Sequence, residues 1–214
     1  MWPDGTPKRF KGRDAWKNWI DWDSTYREQT DELNRARHYF FHVDDRGRLW
    51  RKELDRLDSH DGQMRDSRTL DFFFGHMQRN HTRLHAALFP YISFRMHEHY
   101  FTSCSDAPVV FNDLRDGELR FMCPDGELAR SVTTRFEPQH LRLTDEGKIF
   151  HPVTTKAIDE VGGPPRHETL MALIESTTAQ TLLENCEESG EDGLVLRWEG
   201  AESVIRRYDP AEGD

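Results

Sequence analysis

Two stretches of the chain place apolar, acidic, glycine and aromatic residues in the same order. Residues 42–50 read HVDDRGRLW and residues 142–150 read RLTDEGKIF. In each stretch, strand-like apolar residues flank a polar turn that holds a glycine, Gly47 or Gly147, which is free to adopt a left-handed backbone conformation. The pattern predicts a β-hairpin at each stretch, and the constant offset between the two stretches indicates a duplicated structural unit.

The apolar spacing changes to that of a helix after each predicted hairpin. In the first unit Asp66 or Ser67 can cap a helix, because a short polar side chain accepts a hydrogen bond from the first helical turn. The apolar residues that follow with the spacing i, i+3, i+4, i+7 are Leu70, Phe73, Phe74 and Met77. In the second unit, residues 168–185 read ETLMALIESTTAQTLLEN and predict the corresponding helix.

Strand-like runs fill most of the remaining chain. Asp-Gly pairs at residues 116–117 and 125–126 separate such runs and predict an antiparallel meander between the two units, and residues 193–209 predict a closing hairpin. The predicted fold class is therefore α+β, with two tandem hairpin-plus-helix units and antiparallel sheets. The predicted boundaries are 37–138 for the first unit with the meander and 139–214 for the second unit.

The segment before the first unit has no counterpart before the second. Residues 14–36 carry large aromatic residues at helical spacing and predict an aromatic-rich helix within an N-terminal arm, residues 1–36. The aromatic stripe either covers the core of the protein or docks on another subunit, since large aromatic side chains are enriched at both places. We expect Trp16 and Trp19 to be the buried anchors of this arm and Trp22 to be more exposed.

Composition narrows the classes of partner. The formal net charge of −10 disfavours binding to the phosphate backbone of nucleic acids, and no apolar run approaches the length of a membrane-spanning helix. The three cysteines, Cys104, Cys123 and Cys186, have no CxxC spacing and predict neither a disulfide framework nor a zinc knuckle. Together with the lack of a secretory signal pattern, this favours an intracellular, soluble protein in a reducing compartment.

Three separated motifs occur in the order found in a known family. Residues 39–44 read YFFHVD, residues 106–111 read DAPVVF, and residues 136–152 read FEPQHLRLTDEGKIFHP. Over residues 38–152 the chain thereby resembles an uncharacterised family of eukaryotic proteins, typified by a human chromosome-eight open-reading-frame product. The resemblance implies a mitochondrial location, with the cytoplasm as the alternative. The aromatic-rich arm favours a role as an accessory or structural subunit of a larger assembly.

A second resemblance is more distant. The order of hairpin, helix, strand entry and second hairpin-helix unit is similar to that of a bacterial domain-of-unknown-function family. That resemblance implies two similar α+β units in tandem and a role in ligand sensing or signalling. It implies a fold more than an activity.

Histidines are the first candidates for metal chemistry. His97 and His99 point to the same face of a predicted strand, and His81 or His85 could supply a third zinc ligand. The alternative is that these are polar residues of a strand face and a helix end. Because the spacings match no recognised ligand set, we predict no bound zinc and no cofactor.

Motifs for nucleophilic catalysis are missing from the sequence. There is no GxSxG, no phosphate-binding GxxxxGK[ST] and no GxGxxG after a strand. Cys104 lies near His97 and His99 in sequence and could be reactive, but a buried strand cysteine that acts as a small apolar residue is the simpler interpretation. The sequence therefore predicts no catalytic residue.

The stretch from Arg95 to Phe111 is the candidate binding region. Arg95 could bind an anionic ligand, or it could form a structural ion pair with Asp106 that holds two strands together. The favoured function is non-catalytic binding of a small anionic ligand or a protein partner, followed by the subunit role, and then by a metal-dependent enzyme that uses the region of His97 and His99. The residues assigned to the binding site are Arg95, His97, Asp106, Phe111, Trp16 and Trp19.

Overall fold

Most of the described backbone lies in β-strands that form three sheets. The computed structural model describes residues 37–52, 62–95, 98–158, 166–188 and 194–208. In chain order the elements are β1 (Arg37–Val43), β2 (Leu49–Lys52), α1 (Ser67–Gly75), β3 (Gln78–Arg79), β4 (Tyr91–Arg95), β5 (Glu98–Cys104), β6 (Val110–Phe111), β7 (Asp113–Arg115), β8 (Glu118–Met122), β9 (Leu128–Arg135), a 3-10 turn (Pro138–His140), β10 (Arg142–Leu143), β11 (Ile149–Ala157), β12 (Arg166–Ile174), α2 (Ser176–Leu183), β13 (Cys186–Glu188), β14 (Leu194–Trp198) and β15 (Ala201–Arg207).

The first and second sheets share an arrangement of five strands. The first sheet has the order β2-β1-β5-β4-β3, in which β1 is antiparallel to β2 and parallel to β5. The second sheet contains β11-β10-β15-β14-β13, in which β10 is antiparallel to β11 and parallel to β15. The second sheet continues beyond β11 with β12 and β6. Each five-strand arrangement therefore starts from one of the two predicted hairpins.

The third sheet is the predicted meander. Strands β7, β8 and β9 pair antiparallel in chain order. The turn between β7 and β8 contains Asp116 and Gly117, and both have positive φ angles, of 55° and 72°. Glycine adopts this conformation without steric cost, and Asp tolerates it better than most residues. The Asp-Gly signal was thus a sound basis for predicting this sheet.

Helix α1 begins where the sequence predicts. The Asp66 carboxylate accepts hydrogen bonds from the backbone N–H and the hydroxyl of Thr69, at 2.8 and 2.6 Å, and satisfies a donor that the first turn would otherwise leave open. Leu70, Phe73 and Phe74 are buried on one face of the helix. Among the described residues, no helix is long and apolar enough to cross a membrane.

The predicted α+β class is wrong, because strands dominate the described residues and the helices are short. The largest error falls on residues 168–185, where the sequence predicts a single helix. Strand β12 occupies Arg166–Ile174 and is paired with β11 on one side and β6 on the other. Helix α2 starts only at Ser176, after the Glu175 carboxylate caps it by accepting from the Thr177 N–H at 2.9 Å.

The physical reason lies in the neighbours of this segment. Leu170 and Ala172 are fully buried while Thr169 is exposed and Met171 is partly exposed, which is the two-residue alternation of a strand. Two flanking strands supply backbone partners, so the segment satisfies its N–H and C=O groups without forming a helix. At the sequence offset that relates the two turns, α1 therefore corresponds to the strand β12. The predicted order of a hairpin followed directly by a helix is found in the first unit and not in the second.

The predictions for the N-terminal arm, the domain boundaries and the duplication stay predictions. The aromatic-rich helix of residues 14–36, including Trp16, Trp19 and Trp22, lies outside the described residues. The domain boundaries and the duplication as an evolutionary event also stay predictions.

One large core joins the three sheets. It contains Phe41 and Leu49 from the first sheet, Phe121 from the third, and Ile149 and Leu196 from the second. Helix α1 packs between them, and its Gly75 is close enough to Ser131 of β9 that an added Cβ would lie 2.4 Å from the serine Cβ. The two halves of the chain thus bury their apolar faces against each other.

A smaller apolar cluster covers the opposite face of the first sheet. It consists of Phe40, Leu84, Phe89, Ile92, Phe94 and Phe101. The loop of residues 80–90 closes over it and is held by Asn80, whose amide donates to the carbonyl oxygens of Leu84 and Phe89 at 2.7 and 2.9 Å. The first sheet is therefore packed on both faces.

Candidate functional site

The first hairpin turn is organised by one carboxylate. Oxygen Oδ1 of Asp44 accepts hydrogen bonds from the backbone N–H groups of Arg46 and Arg48, at 3.0 and 2.9 Å. Oxygen Oδ2 accepts from the Arg48 Nε at 2.7 Å and from the Trp50 indole N–H at 2.8 Å. Four donors thereby converge on a single side chain, which fixes both the backbone of the turn and the side chains that leave it.

The charge of Asp44 is favoured by this network. Partial burial works to raise the pKa of the Asp44 carboxyl, but the hydrogen bonds from Trp50, Arg48 and Arg46 outweigh it and hold the pKa below its ordinary value. The carboxylate is therefore ionised at neutral pH and keeps its four donors.

Arg48 is held in place at the same turn. Its Nε is used by Asp44, and its guanidinium lies over the Trp50 ring, with the central carbon 5.4 Å from the ring centroid. The hydrogen bond between the two side chains uses Nε and not a terminal nitrogen of Arg48. Arg46 is exposed on the same turn and makes no ion pair with any residue that the structure describes. The turn thus presents two cationic groups on one rigid loop.

The turn is pressed against the rest of the protein at Gly47. This residue has a φ of 75°, and a Cβ added to it would lie 3.0 Å from the Val110 Cβ and 3.1 Å from the Phe121 ring. Any other residue here would strain the backbone and clash with Val110 and Phe121. Glycine therefore lets the first turn approach β6 and β8 closely.

A cleft of about 300 Å³ opens where the first turn meets the meander and the start of α2. Its polar lining is formed by Arg46, Arg48, Gln63, Asn112 and Glu175. The apolar lining is formed by Leu49, Met64, Leu70, Phe121, Met122 and Pro124. We name this space the inter-sheet cleft.

Two of the polar residues that line the inter-sheet cleft, Asn112 and Glu175, already have protein partners. The Asn112 amide donates to the Met122 carbonyl oxygen at 2.9 Å and accepts from the Met122 N–H at 2.7 Å. The Glu175 carboxylate caps helix α2 through the N–H of Thr177. The two arginines are left as the charged groups that can bind a molecule in the cleft, and their chemistry favours a carboxylate, phosphate or sulfonate.

The residues assigned to the binding site from sequence are spread over the fold. Arg95 is exposed at the end of β4, with its guanidinium over the Phe72 ring at 5.4 Å. Asp106 forms an ion pair with Lys148 of the second turn, and the predicted alternative pair with Arg95 is not formed. Phe111 is fully buried in β6. His97, Trp16 and Trp19 lie outside the described residues.

His99, the neighbour of His97, is buried in a histidine group. Its ring stacks on His38 with centroids 5.3 Å apart, and His85 lies edge-on to His38 at 5.9 Å. Burial lowers the pKa of His99 to about 4, and burial together with the two neighbouring imidazoles lowers the pKa of His38 to about 3. Within the described part of the chain, no group of three or more His, Cys, Asp or Glu side chains is placed to hold a metal ion.

Cys104 is held as a neutral thiol. Burial, with a smaller contribution from the Asp106 carboxylate, raises its pKa to about 12. Because the thiolate is the nucleophilic form, this environment disfavours the reactive interpretation of Cys104.

The two turns differ in sequence at the positions that border the inter-sheet cleft. Asp44, Arg46 and Arg48 correspond by position to Thr144, Glu146 and Lys148. The first turn thus has an acidic anchor and two arginines where the second has a hydroxyl, an acid and a lysine. This difference marks the first turn as specialised, but only the packing of Gly47 reveals that it borders a cleft.

Comparison with known families gives a match over most of the chain. The family model described as a domain of unknown function, DUF4505, matches residues 28–206. This agrees with the resemblance to an uncharacterised family. No solved structure matches the chain.

Proposed function

Because the chain belongs to the DUF4505 family, which is described only as a domain of unknown function, we propose a function from the geometry of the inter-sheet cleft: the protein binds a small anionic molecule with an apolar body. The observation that supports this most is the pairing of two arginines on one rigid turn with an apolar lining. The cleft volume lies at the lower end of the range for small-molecule sites, roughly 300–1,000 Å³, and favours a metabolite over a peptide.

The cleft offers a different contact region to each of the two parts of such a ligand. The anionic group binds at the turn, where the Arg48 guanidinium is oriented in advance by Asp44 and Trp50 and loses little freedom on binding. The apolar part packs between Leu70 and Phe121, which removes apolar surface from water. Arginine charge and apolar enclosure together select an amphipathic anion over a fully hydrated inorganic one.

The test uses anilinonaphthalene sulfonate as the probe, because it carries a sulfonate on an apolar ring system. Fluorescence titration of the Arg46→Gln variant should give a dissociation constant about tenfold above that of the wild type, which is the loss expected for one charge-assisted contact. Arg130→Gln is the matched control, because Arg130 is exposed on β9 outside the cleft. The uncharged analogue N-phenylnaphthylamine should bind wild type and Arg46→Gln equally.

The site of binding is checked separately by amide chemical shifts of the wild-type protein. Titration with the probe should move the signals of Gly47, Asn112 and Phe121 first. An unchanged dissociation constant for Arg46→Gln, or shifts confined to residues outside the cleft, would rule out this binding site.

A role as an accessory subunit of a larger assembly, with a mitochondrial location, is the second proposal. The subunit role rests on the aromatic-rich sequence of the N-terminal arm, and the location rests on the resemblance. Native mass measurement of complexes purified from the source tests it. A monomer that co-purifies with no other chain would contradict the subunit role, and fractionation of the source cells would test the compartment.

A further inference from the structure

A second polar group lies on the opposite face of the first sheet from the main core. The parallel pairing of β1 and β5 places His42 directly opposite Ser103. Just after β5, the backbone N–H of Ser105 donates to the Val43 carbonyl oxygen at 2.9 Å, which holds Ser105 beside the same histidine. The two serines contact different nitrogens of the imidazole: Ser103 Oγ lies 3.0 Å from Nδ1, and Ser105 Oγ lies 3.2 Å from Nε2.

One assignment of the protons satisfies all three contacts of this group. In it, the Ser103 hydroxyl donates its only proton to the Phe41 carbonyl oxygen at 3.3 Å. Its oxygen therefore accepts from His42 Nδ1–H, which leaves the lone pair of Nε2 facing Ser105. The Ser105 hydroxyl donates to that lone pair, so the chain of donors runs from Ser105 through His42 and Ser103 to the backbone of β1.

This order matches the arrangement of an activated hydroxyl nucleophile. Such a site needs a nucleophile bonded to a base, and a third group that orients the base from its other side. Ser105 is exposed, whereas Ser103 and His42 are partly buried, so the member that would react is the one open to solvent. We propose that Ser105 is a nucleophilic serine, with His42 as its general base and Ser103 as the positioning residue.

The neighbouring cavity indicates the class of substrate. A space of about 230 Å³ is lined by His42, Lys52, Leu88, Phe89 and Ser103. Leu88 and Phe89 form an apolar wall that suits a short acyl chain, and Lys52 places positive charge in the same space, where a carbonyl oxygen gains negative charge during attack. These features fit a small ester with an apolar acyl group.

The reaction that follows is a hydrolysis in two steps. Ser105 Oγ attacks the ester carbonyl carbon while its proton passes to His42 Nε2. The bond to the leaving alcohol then breaks as that proton is transferred to the alcohol oxygen, which leaves an acyl-serine. In the second step water attacks the acyl carbon, gives a proton to His42, and the carboxylic acid leaves as Ser105 recovers its proton. The sum is ester plus water to acid plus alcohol. This site is separate from the inter-sheet cleft and does not depend on the function proposed for it.

The test treats the full-length wild-type protein with a fluorophosphonate probe and maps the modified residue by peptide mass spectrometry. We expect the phosphonyl group on Ser105, and the labelling rate should fall about a hundredfold or more in His42→Gln, as for removal of a general base. Ser131→Ala is the control variant, since Ser131 is an exposed serine on β9, and it should label like the wild type. The burst of nitrophenol released from p-nitrophenyl acetate should be as fast in Ser131→Ala as in the wild type and much slower in His42→Gln.

The role of Ser103 has its own readout. Nitrogen NMR of His42 should show the Nδ1–H tautomer in the wild type and in Ser103→Thr, but a mixture of tautomers in Ser103→Ala. Labelling should fall in Ser103→Ala and recover in Ser103→Thr, which a purely structural loss would not produce. The proposal is overturned if Ser105 of the folded wild type is not modified, or if its modification proceeds at the same rate in His42→Gln.

Discussion

The two hairpin turns have the same backbone and different surroundings. In the first, Asp44 N–H donates to the Arg48 carbonyl oxygen at 3.1 Å and Gly47 N–H to the Asp44 carbonyl oxygen at 3.0 Å. In the second, Thr144 and Gly147 make the equivalent bonds at 2.9 and 3.0 Å. Yet Gly47 is buried against β6 and β8, whereas an added Cβ at Gly147 would meet no atom within 4 Å. The same local turn is therefore packed through its glycine against two other strands in one case and is open to solvent at its glycine in the other.

The two turns also differ in what holds them. The first turn is held by four hydrogen bonds that its own residues donate to the Asp44 carboxylate. The second is tied to distant parts of the chain, because Lys148 pairs with Asp106 and Arg207 pairs with Asp145 at 2.6 Å. A self-contained turn can act as a rigid wall for a ligand.

The largest effect should come from the core positions that follow the turns. Phe73 of α1 and Leu173 of β12 are related by the same sequence offset as the two turns, although they lie in different elements. Both are buried. Phe73→Ala should lower the free energy of unfolding by about 3–5 kcal/mol and Leu173→Ala by about 2–5 kcal/mol, because each leaves a cavity. Urea unfolding measures both, and a variant that unfolds like the wild type would show that its side chain is not part of the shared core.

Alanine at the two turn glycines tests the comparison directly. Gly47→Ala should cost roughly 2–5 kcal/mol, since overpacking against Val110 and Phe121 adds to the strain of a positive φ. Gly147→Ala should cost only about 1–2 kcal/mol, because its φ of 80° is strained but its surroundings are open. Paired unfolding curves give the difference, and equal losses for the two variants would mean that the packing of the first turn is not important.

The buried histidines should make the first sheet sensitive to acid. The folded-state pKa values of His38 and His99 lie below the ordinary value of 6.5, so the unfolded chain binds protons that the folded one does not. Their contribution to stability is complete above that ordinary value and is lost as the pH falls towards the folded-state values of about 3 and about 4.

Between about pH 7 and about pH 5 we expect a loss of about 1–3 kcal/mol from this pair. His99→Phe should reduce the loss by about half, because Phe fits among Phe94 and Phe101 and does not titrate. His167→Gln is the control, since His167 is exposed on β12 of the second sheet. Urea midpoints at the two pH values provide the measurement, and an identical acid response of wild type and His99→Phe would contradict the assignment.

The smallest effect should come from the ion pairs of the second turn. Arg207→Gln should change the free energy of unfolding by less than about 1 kcal/mol, because both members of the pair with Asp145 are exposed. The small difference should vanish at about 1 M salt, where surface charges are screened. A loss as large as that of Gly47→Ala would show that the second turn depends on this pair for its conformation.

Local sequence signals are sufficient to predict elements whose hydrogen bonds and caps come from residues nearby in the chain. The two turns depend on glycine and on hydrogen bonds within five residues. Helix α1 depends on Asp66 and an apolar stripe, and the meander depends on Asp-Gly pairs. In each case the partners that stabilise the element are close in the chain, so the pattern predicts the structure without knowledge of the fold.

Features that depend on partners far apart in the chain are the ones that the sequence pattern does not reveal. The binding site assigned to Arg95, Asp106 and Phe111 rests on proximity in sequence and stays a prediction. In the structure Phe111 is buried in the core and Asp106 pairs with Lys148. The group of His42, Ser103 and Ser105 is not visible in the sequence, because the histidine lies on β1 and the serines lie on and just after β5, and these strands are adjacent only after folding.

The sequence by itself determined where the chain turns, where α1 begins and which residues are apolar enough to be buried. The tertiary structure decided that residues 166–174 are a strand, because β11 and β6 offer hydrogen-bond partners on both sides. It also decided that the first turn is packed against the core and borders a cleft, because Val110 and Phe121 come to lie against Gly47. Turn geometry depends on neighbours in the chain, whereas strand pairing and burial depend on which distant segments pack together.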